Sequence, residues 1–170
     1  MKRSNNDKNE IPIEELFKKT FYADPDTAVD IFVENYIKDR QTLHAIELVR
    51  EKKQFNLKVI EKIDSKVFFP FFFQIPSSLK DDKDIAMACM NRLAGTFQYI
   101  SERLKGDRDL ILLMAKKAPN LSREATGKIG EEIRYIPSHE LVSYIESLIL
   151  KEDLEKDLSQ KEVISKKVKI

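Results

Sequence analysis

Aspartates recur in pairs one residue apart, at Asp24/Asp26, Asp82/Asp84 and Asp107/Asp109. Two carboxylates at this spacing suit a hard cation such as Mg²⁺, alone or carried by a sugar nucleotide. Each pair also stands where a helix is predicted to begin. There a carboxylate accepts hydrogen bonds from exposed N–H groups and meets the positive end of the helix dipole. Recurrence at successive helix starts favours capping over metal chemistry. The opposing reading is an enzyme of unknown reaction in which Asp82, Asp84, Asp107 and Asp109 converge on one pocket.

The remaining reactive side chains are few. A carboxylate-bridged di-iron bundle needs Glu-x-x-His on two helices, but Gln41 precedes His44 and Ile136 precedes His139 at that spacing. His44 near Glu47 and His139 beside Glu140 are therefore expected at the surface. The single cysteine, Cys89, lies between Ala88 and Met90 and is expected to be a buried, inert thiol. Two histidines and one cysteine cannot build a common zinc site without carboxylates. Gly-x-Ser-x-Gly, Walker-type and Gly-x-Gly-x-x-Gly signatures are missing. No catalytic residue, metal ligand or cofactor is assigned, and an enzyme ranks behind a binding protein.

The elements that must position these residues are announced by a repeat. Ile75-Pro-Ser-Ser-Leu-Lys-Asp-Asp-Lys-Asp-Ile85 returns 25 residues later as Ile100-Ser-Glu-Arg-Leu-Lys-Gly-Asp-Arg-Asp-Leu110. A period of this size marks a supersecondary unit that buries its apolar face against a neighbour. Capping and periodicity predict a helix over 11–21 and another opening at Asp24-Pro25. Further apolar stripes follow Leu43, Ile46 and Val49, and then Leu57, Ile60 and Ile63 behind a cap at Asn56. Asp82, Asp107, Ser122 and Ser138 are expected to cap later helices, the last running from about His139 past Leu154 and Leu158 before fraying into the Lys-rich end. Ala94, Phe97, Ile100 and Leu104 are expected on one helix, packed against Ile111, Leu112 and Ala115. The expected fold is all-α, made of stacked antiparallel helical hairpins in a short α-solenoid or an irregular bundle. Residues 1–9 are expected to be disordered, 10–158 to form one helical domain with the repeat around 75–117, and 159–170 to form a flexible basic tail.

Asn91, Phe97, Tyr99, Ser101, Leu104, Lys105 and Asp107, with Leu79, Lys80 and Asp82 before them, carry a resemblance. Their order is similar to that of the bacterial domain of unknown function 4116, over about residues 75–117. That family repeats an Asn, an aromatic-x-Tyr-x-Ser step, then Leu-Lys-x-Asp and an apolar helix. Ile100 stands where the family usually has Ala, and no third clean copy follows Asn120. The resemblance implies a helical fold, common in chains of Legionella-like bacteria, and no activity. The C-terminal cluster Glu152, Asp153, Glu155 and Asp157, followed by Val168, resembles the export signal of Legionella type IV effectors. It implies a bacterial secreted effector, or its regulator, translocated into a host cell.

Charge narrows the partner classes. Lysine and arginine total 30 against 29 aspartates and glutamates, a net charge of +1 that gives no global attraction to nucleic acid or anionic membrane. Lys52-Lys53, Lys116-Lys117 and Lys166-Lys167 are short runs flanked by acids and read as solvated faces, which places nucleic-acid binding third. One cysteine suits a reducing compartment, and the cytoplasm is the expected location. No run reaches the ~18 apolar residues of a membrane span, so no membrane insertion is expected. Phe68-Phe69-Pro70-Phe71-Phe72-Phe73 holds five of the ten phenylalanines. Pro70 is expected to interrupt the helix and scatter the rings. They are expected mainly to plug the space between the N-terminal helices and the repeat. Any exposed members of Phe68, Phe69, Phe71, Phe72 and Phe73 are the candidate contacts for another protein, or for self-association. The leading expectation is a helical-repeat module that binds another protein.

Overall fold

The computed structural model describes residues 13–38 and 52–167. Expectations for residues 1–9, for His44 and its helix, and for Val168 lie outside them. Among the described residues every regular element is helical and no strand occurs. The sequence treats 10–158 as one domain, whereas the chain clusters into two compact units, Met1–Leu79 and Lys80–Ile170.

The first unit holds α1 (Ile13–Ala23), α2 (Pro25–Lys38), α3 (Lys53–Lys62) and α4 (Ser65–Gln74), and α5 (Ser77–Lys80) spans its end. Asp24 turns α1 into α2: its carboxylate accepts from the Asp26 N–H at 3.1 Å and the Thr27 N–H at 3.4 Å. Pro25 follows at the first helical position, where a missing N–H costs nothing. α2 packs on both α1 and α3. Two lysines on one face of α3 tie it to α2, Lys58 to Asp26 and Lys62 to Asp30, the latter at 2.6 Å. Between them lies an aromatic cluster: the Phe32 ring meets Phe55 at 5.3 Å and Phe71 at 6.1 Å, and Tyr36 meets Phe71 at 5.8 Å, all edge to face. Asn56 is not a cap. It sits one turn inside α3, and its Nδ2 donates to the Lys52 carbonyl at 3.0 Å.

Pro70 does not interrupt α4, which is continuous from an Asp64 cap to Gln74. Its ring removes one donor, while Val67, Phe68, Phe71 and Phe72 around it are buried. The phenylalanines are sorted by the 3.6-residue period instead. Phe68, Phe71 and Phe72 are buried on one arc, whereas Phe69 and Phe73 share the other, with ring centroids 4.8 Å apart.

The second unit is where the repeat becomes geometry. It holds α6 (Lys83–Arg92), a 3-10 turn (Ala94–Tyr99), α7 (Glu102–Lys105), α8 (Arg108–Lys117), a second 3-10 turn (Pro119–Glu124), α9 (Gly127–Ile133) and α10 (Leu141–Lys167). Helix and 3-10 turn recur at an offset of 25, and so do their buried residues: Ile85, Ala86, Cys89 and Met90 on α6 match Leu110, Ile111, Met114 and Ala115 on α8. The exits match too. The Leu93 N–H donates to the Cys89 carbonyl at 2.8 Å, and the Ala118 N–H to that of Met114 at 2.7 Å. A third copy exists in part, since α5, α7 and α9 begin at residues 77, 102 and 127. Ile75, Ile100 and Ala125 are buried just ahead of them.

Four expectations change here. Residues 94–104 do not form one helix, because Leu93 and Ile100 are extended and divide the stretch into a 3-10 turn and α7. Ser122 lies inside the second 3-10 turn and caps nothing. Ser138 precedes the start of α10 by three residues, and the Glu140 carbonyl accepts the Tyr144 N–H instead. α10 itself continues to Lys167, well into the segment from 159 expected as a flexible tail, through a sequence free of Gly and Pro. It packs on α8 and α9 through buried Leu141 and Ile145.

Candidate functional site

The aspartates that open the repeat helices adopt one geometry twice. Asp82 accepts from the N–H groups of Asp84 at 3.0 Å and Ile85 at 3.2 Å. Asp107 accepts from Asp109 at 3.0 Å and Leu110 at 3.2 Å. Each extended aspartate thus satisfies two of the four donors that a helix start leaves without intrahelical partners.

The second pair is then closed by a cation from the protein itself. Lys83, the first residue of α6, reaches across the repeat and donates to Asp107 at 2.9 Å and Asp109 at 2.5 Å. Its ammonium occupies the position between two carboxylates that a metal would need. Those bonds to Asp109 and Asp107 raise the Lys83 pKa. Partial burial pushes the Asp107 pKa upward, but Lys83 and the Leu110 N–H outweigh it and hold the carboxyl below its ordinary range. The repeat equivalent of Lys83 is Arg108, which pairs with Asp153 of α10 at 2.6 Å. Asp81 completes the set, accepting from Ser101 and from Arg103 Nε at 3.1 Å. The Ser101 hydroxyl, followed by Arg103, lowers the Asp81 pKa. Lys83, Arg108, Asp81 and Arg103 carry no sequence signal of their role, because their partners lie 20 to 45 residues away.

Asp82, Asp84, Asp107 and Asp109 therefore stand at their own helix starts, two per repeat. None of them lines the open depression of about 540 Å³ on this unit, which is bordered by Lys128, Glu152, Glu155, Lys156, Ser159 and Gln160. Among the described residues no three His, Cys, Asp or Glu side chains gather as a metal site would require. His139 is exposed, with Nε2 3.1 Å from the Glu140 carboxylate. Cys89 is fully buried, and burial pushes its thiol pKa up to about 12, with Lys80 opposing weakly. At that value the nucleophilic thiolate is scarce at neutral pH.

The aromatic candidates divide clearly. Phe68, Phe71 and Phe72 are core residues at 2, 4 and 1% exposure, while Phe73 is 49% exposed and Phe69 is half-buried against it. Other large apolar side chains at the surface include Leu93 and Tyr99 in the first repeat and Leu150, Leu154 and Leu158 on α10. No described helix is long and apolar enough to cross a membrane.

No family model matches this chain, and no curated protein or solved structure is similar to it. The resemblance to the domain of unknown function 4116 rests on the repeat motif alone.

Proposed function

We propose that this chain is a helical-repeat module that binds another protein, with Phe73 and Phe69 at the edge of the contact. One observation carries the reading. The carboxylates that invite a catalytic interpretation are committed to helix caps and to Lys83, while Phe73 on α4 is 49% exposed beside half-buried Phe69. An exposed Phe beside a second ring is an expensive surface feature, and interfaces concentrate aromatic anchors of this kind. Stacked helical units offer extended faces suited to a protein partner. The finer reading, a bacterial effector or effector regulator acting in a host cell, rests on the family resemblance and on the acidic C-terminal segment.

The test is quantitative affinity capture from the native cell and from a candidate host lysate. Wild type is compared with Phe73→Ser and with Phe69→Ser/Phe73→Ser, each first shown to melt like wild type. A partner retained by wild type and depleted at least about tenfold by the double variant, the loss of one hot-spot residue, supports the reading. Equal retention by all three proteins overturns it.

A further inference from the structure

We propose that a second copy of this chain docks on the distal half of α10, making a weak antiparallel dimer centred on Leu154. This goes beyond the partner-binding reading and uses a different surface. Leu150, Leu154 and Leu158 are 62, 55 and 63% exposed, a density of bare leucine found nowhere else among the described helices. At helical spacing they fall within an arc of roughly 80° and span about 12 Å. Behind them the support ends. From Glu146 to Gln160 no residue of α10 is buried, and every side chain from Leu154 to Gln160 is exposed. The exposed stretch from Leu154 to Gln160 covers about two turns of helix. Isolated helices shorter than about 12–15 residues are marginal in water. A partner helix would supply what the unit's own core does not.

The occupant follows from the charges flanking the leucines. An antiparallel two-fold through Leu154 sets Leu150 opposite Leu158 of the second copy and Leu154 opposite itself. On one side of this seam Lys151 then lies one turn or less from Glu155 of the second copy, and symmetry makes the contact twice. On the other side Asp157 faces Asp153, whose charge Arg108 already neutralises from α8 at 2.6 Å. Glu155 also lies within a turn of Glu155 of the second copy, so the two Lys151–Glu155 contacts favour the pairing against that repulsion. Together the three side chains offer on the order of 300 Å² per copy, below the ~800 Å² per partner of a standard interface. The dimer is accordingly weak.

Sedimentation velocity of the full chain from about 5 to 500 µM tests this. Wild type should shift toward dimer with concentration, and Leu154→Lys should remain monomeric with an unchanged melting temperature. Lys151→Glu sets glutamate against glutamate at each of the two contacts, and Glu155→Lys sets lysine against lysine. Each variant alone should dimerise at least about tenfold more weakly, whereas their equimolar mixture should restore association, because every crossed contact again joins Glu to Lys. A change confined to one helix cannot produce recovery on mixing. Wild type that stays monomeric throughout, or variants that dimerise alone as wild type does, overturn the proposal. Neither outcome touches Phe69 and Phe73, so its failure is separable from failure of the partner-binding reading.

Discussion

Gly130→Ala should destabilise the protein, although the same change in an open helix normally does the opposite. Gly130 is buried on α9, at the position Lys105 holds one repeat earlier. A Cβ built there would lie 2.5 Å from both the carbonyl carbon and the oxygen of Ala125. Carbon contacts are comfortable at about 3.5–4.0 Å, so backbone must move by roughly 1 Å, and no flexible side chain is present to yield. Alanine gains about 1 kcal/mol of helix propensity over glycine, and overpacking against backbone costs about 3 kcal/mol, the upper part of the usual range. The net loss is about 2 kcal/mol, or roughly 10 °C in melting temperature for a unit of this size. Gly95→Ala is the control, since no atom outside its chain neighbours lies within 4 Å of the added methyl. Urea unfolding followed by circular dichroism measures both, with an unchanged m-value showing that stability alone has moved. Gly130→Ala as stable as wild type would refute the close approach of α9 to the Ala125 turn.

The other predictions concern caps, core and thiol. Asp82→Ala and Asp107→Ala should each cost about 1 kcal/mol as lost N-caps, and neither should change the response to Mg²⁺ or Mn²⁺ in titration calorimetry. Because the Asp107 pKa is depressed on folding, its contribution is present above the unfolded value near 4 and lost as pH falls through the lower folded value. Asp107→Asn should therefore flatten the acid limb of a stability–pH curve. Phe68→Ala or Phe72→Ala should cost about 3–5 kcal/mol by thermal melt, against less than about 1 for Phe73→Ala. Cys89 should resist a disulfide-exchange reagent at neutral pH until denaturant is added, then react within the dead time of unfolding.

What could be read from the sequence was local. The all-α class, the Asp24, Asp82 and Asp107 caps and the 25-residue offset depend on neighbours within a turn or on direct repetition. The third short helix was hidden because its motif is rewritten: Thr126 replaces Ser101, and Gly130 replaces Lys105. Thr126 caps nothing with its side chain, donating instead to the Glu102 carbonyl at 2.9 Å. The stretch after Leu93 looked helical from its apolar spacing, yet Gly95 and Thr96 are poor helix formers and a 3-10 turn suits them. Pro70 misled in the other direction, since α4 runs through it with Val67, Phe68, Phe71 and Phe72 buried around it. At the candidate site, carboxylate spacing was visible but its counter-ion was not. Lys83 carries no signal that it will reach Asp107 and Asp109 across a whole repeat.

Site-specific photo-crosslinking in the native cell addresses the interaction function most directly. A photoreactive phenylalanine analogue at position 73 replaces one exposed ring with another, so the fold is preserved. The same analogue at exposed Arg123 serves as the control. The partner-binding account predicts a discrete higher-mass adduct from position 73, absent from position 123 and lost when Phe69→Ser is added. No adduct at position 73, or the same products from both positions, would contradict it.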